Sequence, residues 1–164
     1  MSAYLSFGTP MTDEATLLEA LADMGFDASK VEVHATPTAL VGFAGDARAA
    51  SANVVIRRRH LSPSSNDVGF VATPTGYRAI VSAFDRGRFD EAWLRGLQAR
   101  YETRHVAREA RLAEEARRRA EEARRRLVEA QRAAVVERAK RLGYAVQETR
   151  QGDSVRLVLV KRTY

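Results

Sequence analysis

Residues 113 to 126 read AEEARRRAEEARRR, one seven-residue word repeated without a change. Alanine, glutamate and arginine are strong helix formers, and no glycine or proline occurs from Leu97 to Leu142. The stretch therefore predicts a single helix from about Phe89 to Leu142, which at 1.5 Å per residue would be about 80 Å long. Gly143 follows at the position where glycine commonly ends a helix.

The repeat carries a narrow apolar seam along one side of the predicted helix. Its residues alternate at spacings of three and four, the a and d positions of a heptad, which is typical of a coiled coil. This interaction seam consists of Ala113, Ala116, Ala120, Ala123, Leu127, Ala130 and Ala134. Because alanine buries little apolar area, we expect only weak association through it.

Arginine and glutamate are placed regularly around the interaction seam. The e and g positions beside it hold Arg117, Arg119, Arg124 and Arg126. Two identical helices would place arginine near arginine in either orientation, so the seam favours a partner helix with glutamate at e and g. Four i,i+4 ion pairs are predicted within the helix, each worth about 0.2–0.5 kcal/mol. They are Glu114 with Arg118, Glu115 with Arg119, Glu121 with Arg125 and Glu122 with Arg126.

The positive charge of the protein is concentrated in this helix. The chain has 27 basic and 21 acidic residues and a formal net charge of +6. Residues 104 to 141 hold 13 of the basic and 7 of the acidic residues, so the remainder has 14 of each. Sequence-nonspecific nucleic-acid binding through the helix is therefore one hypothesis, with Arg57, Arg58 and Arg59 as further candidate anion contacts. Two glutamates precede each arginine triplet, and for that reason we favour a solvated helix.

Short apolar runs on both sides of the helix predict strands. They lie at residues 3–9, 31–35, 39–43, 53–58, 68–72 and 77–84, then at 144–149 and 154–161 around the turn RQGD. Thr12 or Asp13 can cap a short helix that ends near Asp23. The sequence thus predicts an α+β fold: a mostly antiparallel sheet with one short helix, one very long charged helix and a C-terminal β-hairpin. We divide it into a core at 1–103, a helical extension at 104–142 and a hairpin at 143–164.

Composition limits the compartment and the chemistry. The chain has no cysteine, which excludes disulfides, thiolate metal sites and cysteine nucleophiles. It has no run of 18 apolar residues, and its start, MSAYLSFGTP, lacks the features of a signal peptide. We therefore expect a cytoplasmic protein that does not bind membranes. The three histidines are scattered, so we expect no metal site and no cofactor.

Several pieces of the chain, taken in order, resemble one uncharacterised family. They are SAYLSF, ALADMGFD, NVVIR, NDVGF with GYRAIVS, LQARY and the tail RLGYAVQETRQGDSVRLVLVKR, and they span most of residues 1–103 and 141–162. In these pieces the chain is similar to the domain-of-unknown-function family that includes the hypothetical chloroplast reading frame thirty-five proteins of algae and cyanobacteria. The resemblance implies a fold but neither a reaction nor a catalytic residue. Genes of that family often lie beside those of an AAA-type ATPase and small ferredoxin-like proteins, which implies work within an assembly.

The chain departs from the family in the length of its helix. Roughly 26 residues, the repeat among them, are added before the final hairpin, which on a straight helix would carry the hairpin about 40 Å further. The helix could fold back, although no cluster of glycine, proline or asparagine marks a turn. The hairpin could stand alone, although isolated hairpins are marginal in water. We rank first a domain-swapped dimer, in which each hairpin completes the core of the partner chain rather than of its own.

One polar segment of the chain could carry chemistry. Arg57, Arg58, Arg59 and His60 precede the loop LSPSSND, which ends at Asp67. The segment could form an anion site, or His60 and Asp67 could act as an acid–base pair with a nearby serine. No Gly-rich phosphate loop, metal-ligand spacing or Gly-x-Ser-x-Gly motif accompanies these residues, so we favour a charged strand end followed by a solvated loop.

These patterns indicate a non-enzymatic protein-interaction or assembly module whose long helix acts as a spacer or docking seam. The partners considered are a second copy in a swapped dimer, an acidic helix, and, as the resemblance implies, an AAA-type ATPase complex. Nucleic-acid binding through the arginine-rich helix is the first alternative. A small enzyme or anion-binding domain around His60 and Asp67 is the second.

Overall fold

The computed structural model describes residues 3–152 and 154–161. Over these residues the fold is α+β, as predicted, with a five-stranded antiparallel sheet, a short helix, a long helix and a C-terminal β-hairpin. The chain forms two compact units, residues 1–110 and 111–164. The long helix contributes residues to both units.

The first unit is built on the five-stranded sheet. Its strands are β1 Tyr4–Gly8, β2 Val31–Val41, β3 Ala47–Ile56, β4 Val68–Thr73 and β5 Gly76–Ser82. The order across the sheet is β1-β5-β4-β3-β2, and all neighbours are antiparallel. Strands β2 to β5 therefore form a meander, and β1 lies beside β5 at one edge while β2 forms the other.

Each face of the sheet carries an apolar cluster. The larger cluster joins the sheet to helix α1, Glu14–Asp23, and to the start of helix α2, Glu91–Arg141; its members include Leu17, Leu21, Val54, Phe70, Val81, Leu97 and Tyr101. The smaller cluster, on the opposite face, consists of Leu40, Ala52, Val55 and Ile80. A Cβ atom on Gly69 would lie 2.5 Å from the Ala52 Cβ, so β4 packs this closely only with glycine there. Burial of both faces explains the continuous apolar run in β3.

Helix α1 is anchored at its N-terminus by side chains from two elements. Asp13 is the N-cap residue, and its carboxylate accepts the N–H of Thr16 at 2.8 Å. The hydroxyl of Tyr101, on α2, accepts the N–H groups of Thr12 at 3.0 Å and of Asp13 at 2.9 Å. One N–H group in the first turn of this helix and the two N–H groups just before the helix are thus satisfied by side chains.

The first unit includes the start of α2. Arg104 pairs with Asp23 at 2.6 Å, and Arg108 lies 3.8 Å from the Asp13 carboxylate. These ion pairs hold two further helical turns against α1. The unit ends at residue 110.

Two predicted boundaries in the sheet are wrong. The sequence predicted separate strands at 31–35 and 39–43, but β2 is continuous through Pro37, with a register shift between Val33 and Thr38. Proline is tolerated because β2 is an edge strand and one side of it needs no ladder partner. The sequence predicted the next strand at 53–58, yet β3 already begins at Ala47 because it pairs with β2 from there.

The second unit consists of the remainder of α2 and the hairpin. Helix α2 is continuous through the repeat to Arg141, so the folded-back helix is excluded. Gly143, with φ of 81°, ends it as predicted. Strands β6, Tyr144–Gln151, and β7, Ser154–Lys161, then form a separate two-stranded antiparallel sheet.

Candidate interaction surface

The interaction seam lies on an open side of the second unit. All seven of its residues are exposed. The hairpin packs on another side of the helix, where a cleft is lined by Gly152 and Val155 of the hairpin and by five residues of α2: Glu121, Arg124, Arg125, Val128 and Glu129. Four of these five occupy b, c and f positions, on the side of the helix away from the seam at 100° per residue, and Arg124 occupies an e position beside the seam. The hairpin therefore leaves the interaction seam uncovered.

Ion pairs along the repeat follow the predicted pattern in part. Two of the four predicted i,i+4 pairs are present, and Glu114 pairs with Arg117 instead of the predicted Arg118. The pairs are Glu115–Arg119 at 3.8 Å, Glu121–Arg125 at 2.7 Å and, at i,i+3, Glu114–Arg117 at 2.7 Å. Each is solvent-exposed and contributes at most about 1 kcal/mol. Within residues 3–152 and 154–161, Arg118, Arg124 and Arg126 have no ion-pair partner.

A polar contact fixes the inner face of the hairpin to the helix. The Nη2 of Arg132, on α2, donates to the Glu148 carboxylate of β6 at 2.6 Å. The same guanidinium binds Glu129 at 2.8 Å, one turn earlier on the helix. Arg132 thus links two carboxylates of the helix and the hairpin.

The outer face of β7 is apolar and open. Val158 and Val160 are 41% and 42% exposed, and the residues opposite them on β6 are Gln147 and Ala145. None of the predicted site residues lies on this strand. The sequence LVLV at 157–160 could nevertheless have indicated a docking strand, because a strand that is apolar on both faces is typically covered on both.

The second unit has almost no core of its own. Ala139 is the one buried residue among the side chains of this unit that the structure describes. Seven large apolar side chains are exposed instead: Leu112, Leu127, Val135, Leu142, Val158, Leu159 and Val160. Of these, Val158 and Val160 adjoin each other on one face of β7, and contiguous exposed apolar surface is typical of an interaction site in soluble proteins.

Arg57 and Asp67 form an internal anchor. Asp67 is 1% exposed, and its carboxylate accepts the N–H groups of Arg58 at 2.8 Å and Val41 at 2.9 Å and the Nη1 of Arg57 at 2.8 Å. The Nε of Arg57 donates to Glu32 at 2.6 Å. Partial burial alone would raise the pKa of Glu32, but hydrogen bonding and charge from Arg57 outweigh it and lower that pKa. Because two carboxylates engage the Arg57 guanidinium, it is poorly placed to hold an external anion.

The other two arginines of this segment are also engaged. Arg58 donates from its Nη1 to the carbonyl of Phe43. Arg59 donates to Glu32 at 3.1 Å and to the His60 ring at 3.1 Å. The structure shows no contact between His60 and Asp67 in the part of the chain that it describes. The geometry therefore does not assemble the acid–base pair that the sequence suggested.

The loop before Asp67 differs from the solvated loop that the sequence favoured. Ser65, Asn66 and Asp67 are all buried. The Nδ2 of Asn66 donates to the Asp85 carboxylate at 2.8 Å and to the Ser82 hydroxyl at 3.1 Å, which satisfies these polar groups inside the protein. Among the residues described, no group of three or more His, Asp or Glu side chains could hold a metal ion.

Comparisons with known proteins supply no relative. No family model, no curated protein and no solved structure matches the chain. The resemblance to the uncharacterised family stays a prediction. None of the described helices is both long and apolar enough to cross a membrane. The proposal for function consequently depends on the surface of the second unit.

Proposed function

We propose that the protein is a non-enzymatic assembly module whose second unit, residues 111–164, docks onto a second copy of the chain. The observation that carries this proposal is an imbalance among the described residues of the unit, of which one alanine is buried and seven large apolar side chains are exposed. Such a unit gains stability when another surface covers it, since apolar burial contributes about 25 cal/mol per Å². Helix α2 then acts as the spacer of the module.

Strand β7 is the part of the unit best suited to recruit that copy. In a two-stranded sheet the outer edge of each strand is unpaired, and such an edge is a template for another strand. The sequence SVRLVLVK is rich in β-branched residues and has no proline. Two copies of β7 paired antiparallel would form a four-stranded sheet about a two-fold axis and bring Val158 and Val160 of both chains together.

The interaction seam contributes little to this association. Its alanines bury little area, and its flanking Arg117, Arg119, Arg124 and Arg126 would repel their equivalents in a second copy. The seam is then left for a different helix with glutamate at e and g. An acidic helix of an AAA-type ATPase complex, the partner that the family resemblance implies, is of this kind.

The mass of the protein in solution tests the proposal. Light scattering across a concentration series is expected to give twice the chain mass of 18.2 kDa. Val158→Glu combined with Val160→Glu places charge in the interface and is expected to return the mass to 18.2 kDa. Gln131→Glu adds a charge on the exposed helix without removing apolar area and serves as the control, which stays dimeric. A mass of one chain at every concentration, or equal masses for the wild type and the double variant, contradicts the proposal.

Nucleic-acid binding through α2 is the second candidate. The observation in its favour is that Arg118, Arg124 and Arg126 have no ion-pair partner in the ranges described and are exposed. Binding of this kind weakens steeply with salt, with a slope of about 0.9 per phosphate contacted on a logarithmic scale. Titration of fluorescent DNA at low and moderate salt measures it, and the absence of binding at low salt removes this candidate.

A further inference from the structure

The first unit contains a cleft that plays no part in the proposed docking. Its volume is about 650 Å³, within the range of small-ligand sites, and it is formed by the start of β1 and the start of β3. Four alanine side chains give it apolar walls. The polar groups lining it are Tyr4, Asp46 and Arg48.

Arg48 supplies the positive charge in this cleft. Its side chain is 10% exposed, and its Nη1 lies 3.1 Å from the Asp46 carboxylate. Its Nε is buried and has no hydrogen-bond partner among the residues that the structure describes. A guanidinium has five donors in a planar fork, and a desolvated donor without an acceptor costs free energy. This side chain is therefore suited to hold a second carboxylate beside that of Asp46.

Gly42 allows the guanidinium to take this position. A Cβ atom on Gly42 would lie 2.5 Å from the Arg48 Nε and 2.6 Å from the Asp46 Oδ1. Any other residue would have to displace the ion pair. Substitution of Gly42 thus offers a way to move the guanidinium without removing its charge.

Tyr4 adds a neutral polar group to the same cleft. Its hydroxyl donates to the carbonyl of Asp67 at 3.3 Å. Burial, followed by the charge of Asp67, raises the pKa of the Tyr4 phenol. The phenol therefore stays protonated near neutral pH, and it places no negative charge against a carboxylate ligand.

Two exposed phenylalanines each follow a residue that lies close to the lining of the cleft. Phe43 follows Gly42, and Phe84 follows Ala83, whose N–H donates to the carbonyl of Ala3 at 2.8 Å. The side chains are 57% and 64% exposed. Their backbone N–H groups are fixed by Asn66 at 3.1 Å and Ser82 at 3.2 Å, which hydrogen-bond to each other. The buried network thus fixes the backbone of both aromatic residues.

We propose that this cleft binds a carboxylate carried on a short apolar group, with an aromatic ring as the best fit. The carboxylate pairs with Arg48, the alanine walls contact the apolar chain, and the ring packs on Phe43 or Phe84. A phosphate dianion fits less well because Asp46 lies beside the guanidinium. Two kinds of ligand present such a carboxylate: a free arylalkanoic acid and the C-terminal aromatic residue of a polypeptide.

Calorimetric titration of the full chain with 3-phenylpropanoate tests this proposal. The uncharged 3-phenylpropanamide is expected to bind roughly tenfold or more weakly because it lacks the charge-assisted pair. Arg48→Met is expected to weaken binding of the acid by a similar factor, roughly tenfold. Arg78→Met removes an exposed arginine of β5 and is the matched control, with unchanged affinity.

Further arms keep the test decisive if Arg48→Met fails to fold. Gly42→Ala, which keeps the charge, and Phe84→Ala, at an exposed position, are each expected to weaken binding of the acid severalfold. A peptide ending in a free phenylalanine carboxylate that binds more tightly than the small acid assigns the polypeptide source, and weaker binding assigns the free acid. Equal binding of acid and amide, or competition by an oligothymidine as strong as that by the acid, overturns the proposal.

Discussion

We expect the buried carboxylate of Asp67 to contribute strongly to the unfolding free energy of the first unit. Asp67→Asn keeps the shape of the side chain and removes its charge. Both carboxylate oxygens accept hydrogen bonds, one from the Arg58 N–H and the other from the Val41 N–H and Arg57, so the amide NH2 must face a donor in either orientation. Removing one partner of a buried ion pair costs about 3–5 kcal/mol, and we expect the lower value, about 3 kcal/mol, because Glu32 still pairs with Arg57.

Urea unfolding followed by the fluorescence of Trp93 measures this loss. Trp93 is the single tryptophan of the chain and packs edge-on against Phe89 at 4.9 Å in the first unit, so its emission reports on that unit. Glu91→Gln, which removes an exposed carboxylate, is the control and is expected to cost less than about 1 kcal/mol. The reasoning is refuted if the loss of unfolding free energy in Asp67→Asn is within about 1 kcal/mol of the loss in this control, since an exposed ion pair contributes about that much.

Two further predictions concern the start of α1. Tyr101→Phe removes the acceptor of the Thr12 and Asp13 N–H groups, and we expect it to lower the free energy of unfolding in urea by about 1–3 kcal/mol. The control Tyr77→Phe loses a single hydrogen bond, to Glu14, and is expected to cost less. An equal cost for the two variants would contradict this prediction. The side-chain hydrogen bond from Thr16 is the main cause that lowers the pKa of Asp13. This carboxylate therefore stabilises the fold at pH values above its unfolded pKa of about 4, and the stabilisation is lost as the pH falls through the lower folded pKa. In Thr16→Val the acid-dependent loss of stability should therefore shrink, as acid titration of the unfolding free energy can show, and an unchanged loss would exclude this role.

Much of the architecture could be predicted because local signals agreed with the tertiary structure. The absence of glycine and proline after Leu97, and Gly143 at the end, predicted α2 to within a few residues at each end. The capping residue Asp13 likewise predicted the start of α1, which begins at Glu14. Alternating and continuous apolar runs predicted the other strands, since burial of one or both faces requires them.

The remaining elements depend on partners distant in sequence. Ala47 to Ser51 lacks strand propensity but pairs with β2, and Pro37 is accepted because the edge of the sheet needs no donor. The burial of Asn66 depends on Ser82 and Asp85, which no local pattern connects to it. The cleft at Arg48 likewise forms from β1 and β3, which are not neighbours in the sheet.

The proposed candidate surface shows the same division. The interaction seam could be read from heptad spacing, because the periodicity of a helix is local. Its position relative to the hairpin could not, since contacts such as Arg132 with Glu148 depend on how the strands return along the helix. The run LVLV at 157–160 already indicates a strand that is covered on both faces, but the exposure of Val158 and Val160 is seen only in the structure.

Crosslinking through β7 tests the central claim most directly. The chain has no cysteine, so Val158→Cys introduces a single reactive thiol. A short bis-maleimide, which tolerates a shift in strand register, is expected to convert most of this variant into a covalent dimer, because two-fold pairing of β7 brings residue 158 of both chains close together. Ala120→Cys, on the interaction seam, should crosslink far less. Efficient crosslinking at residue 120 with none at 158, or none at either position, would contradict docking through the hairpin.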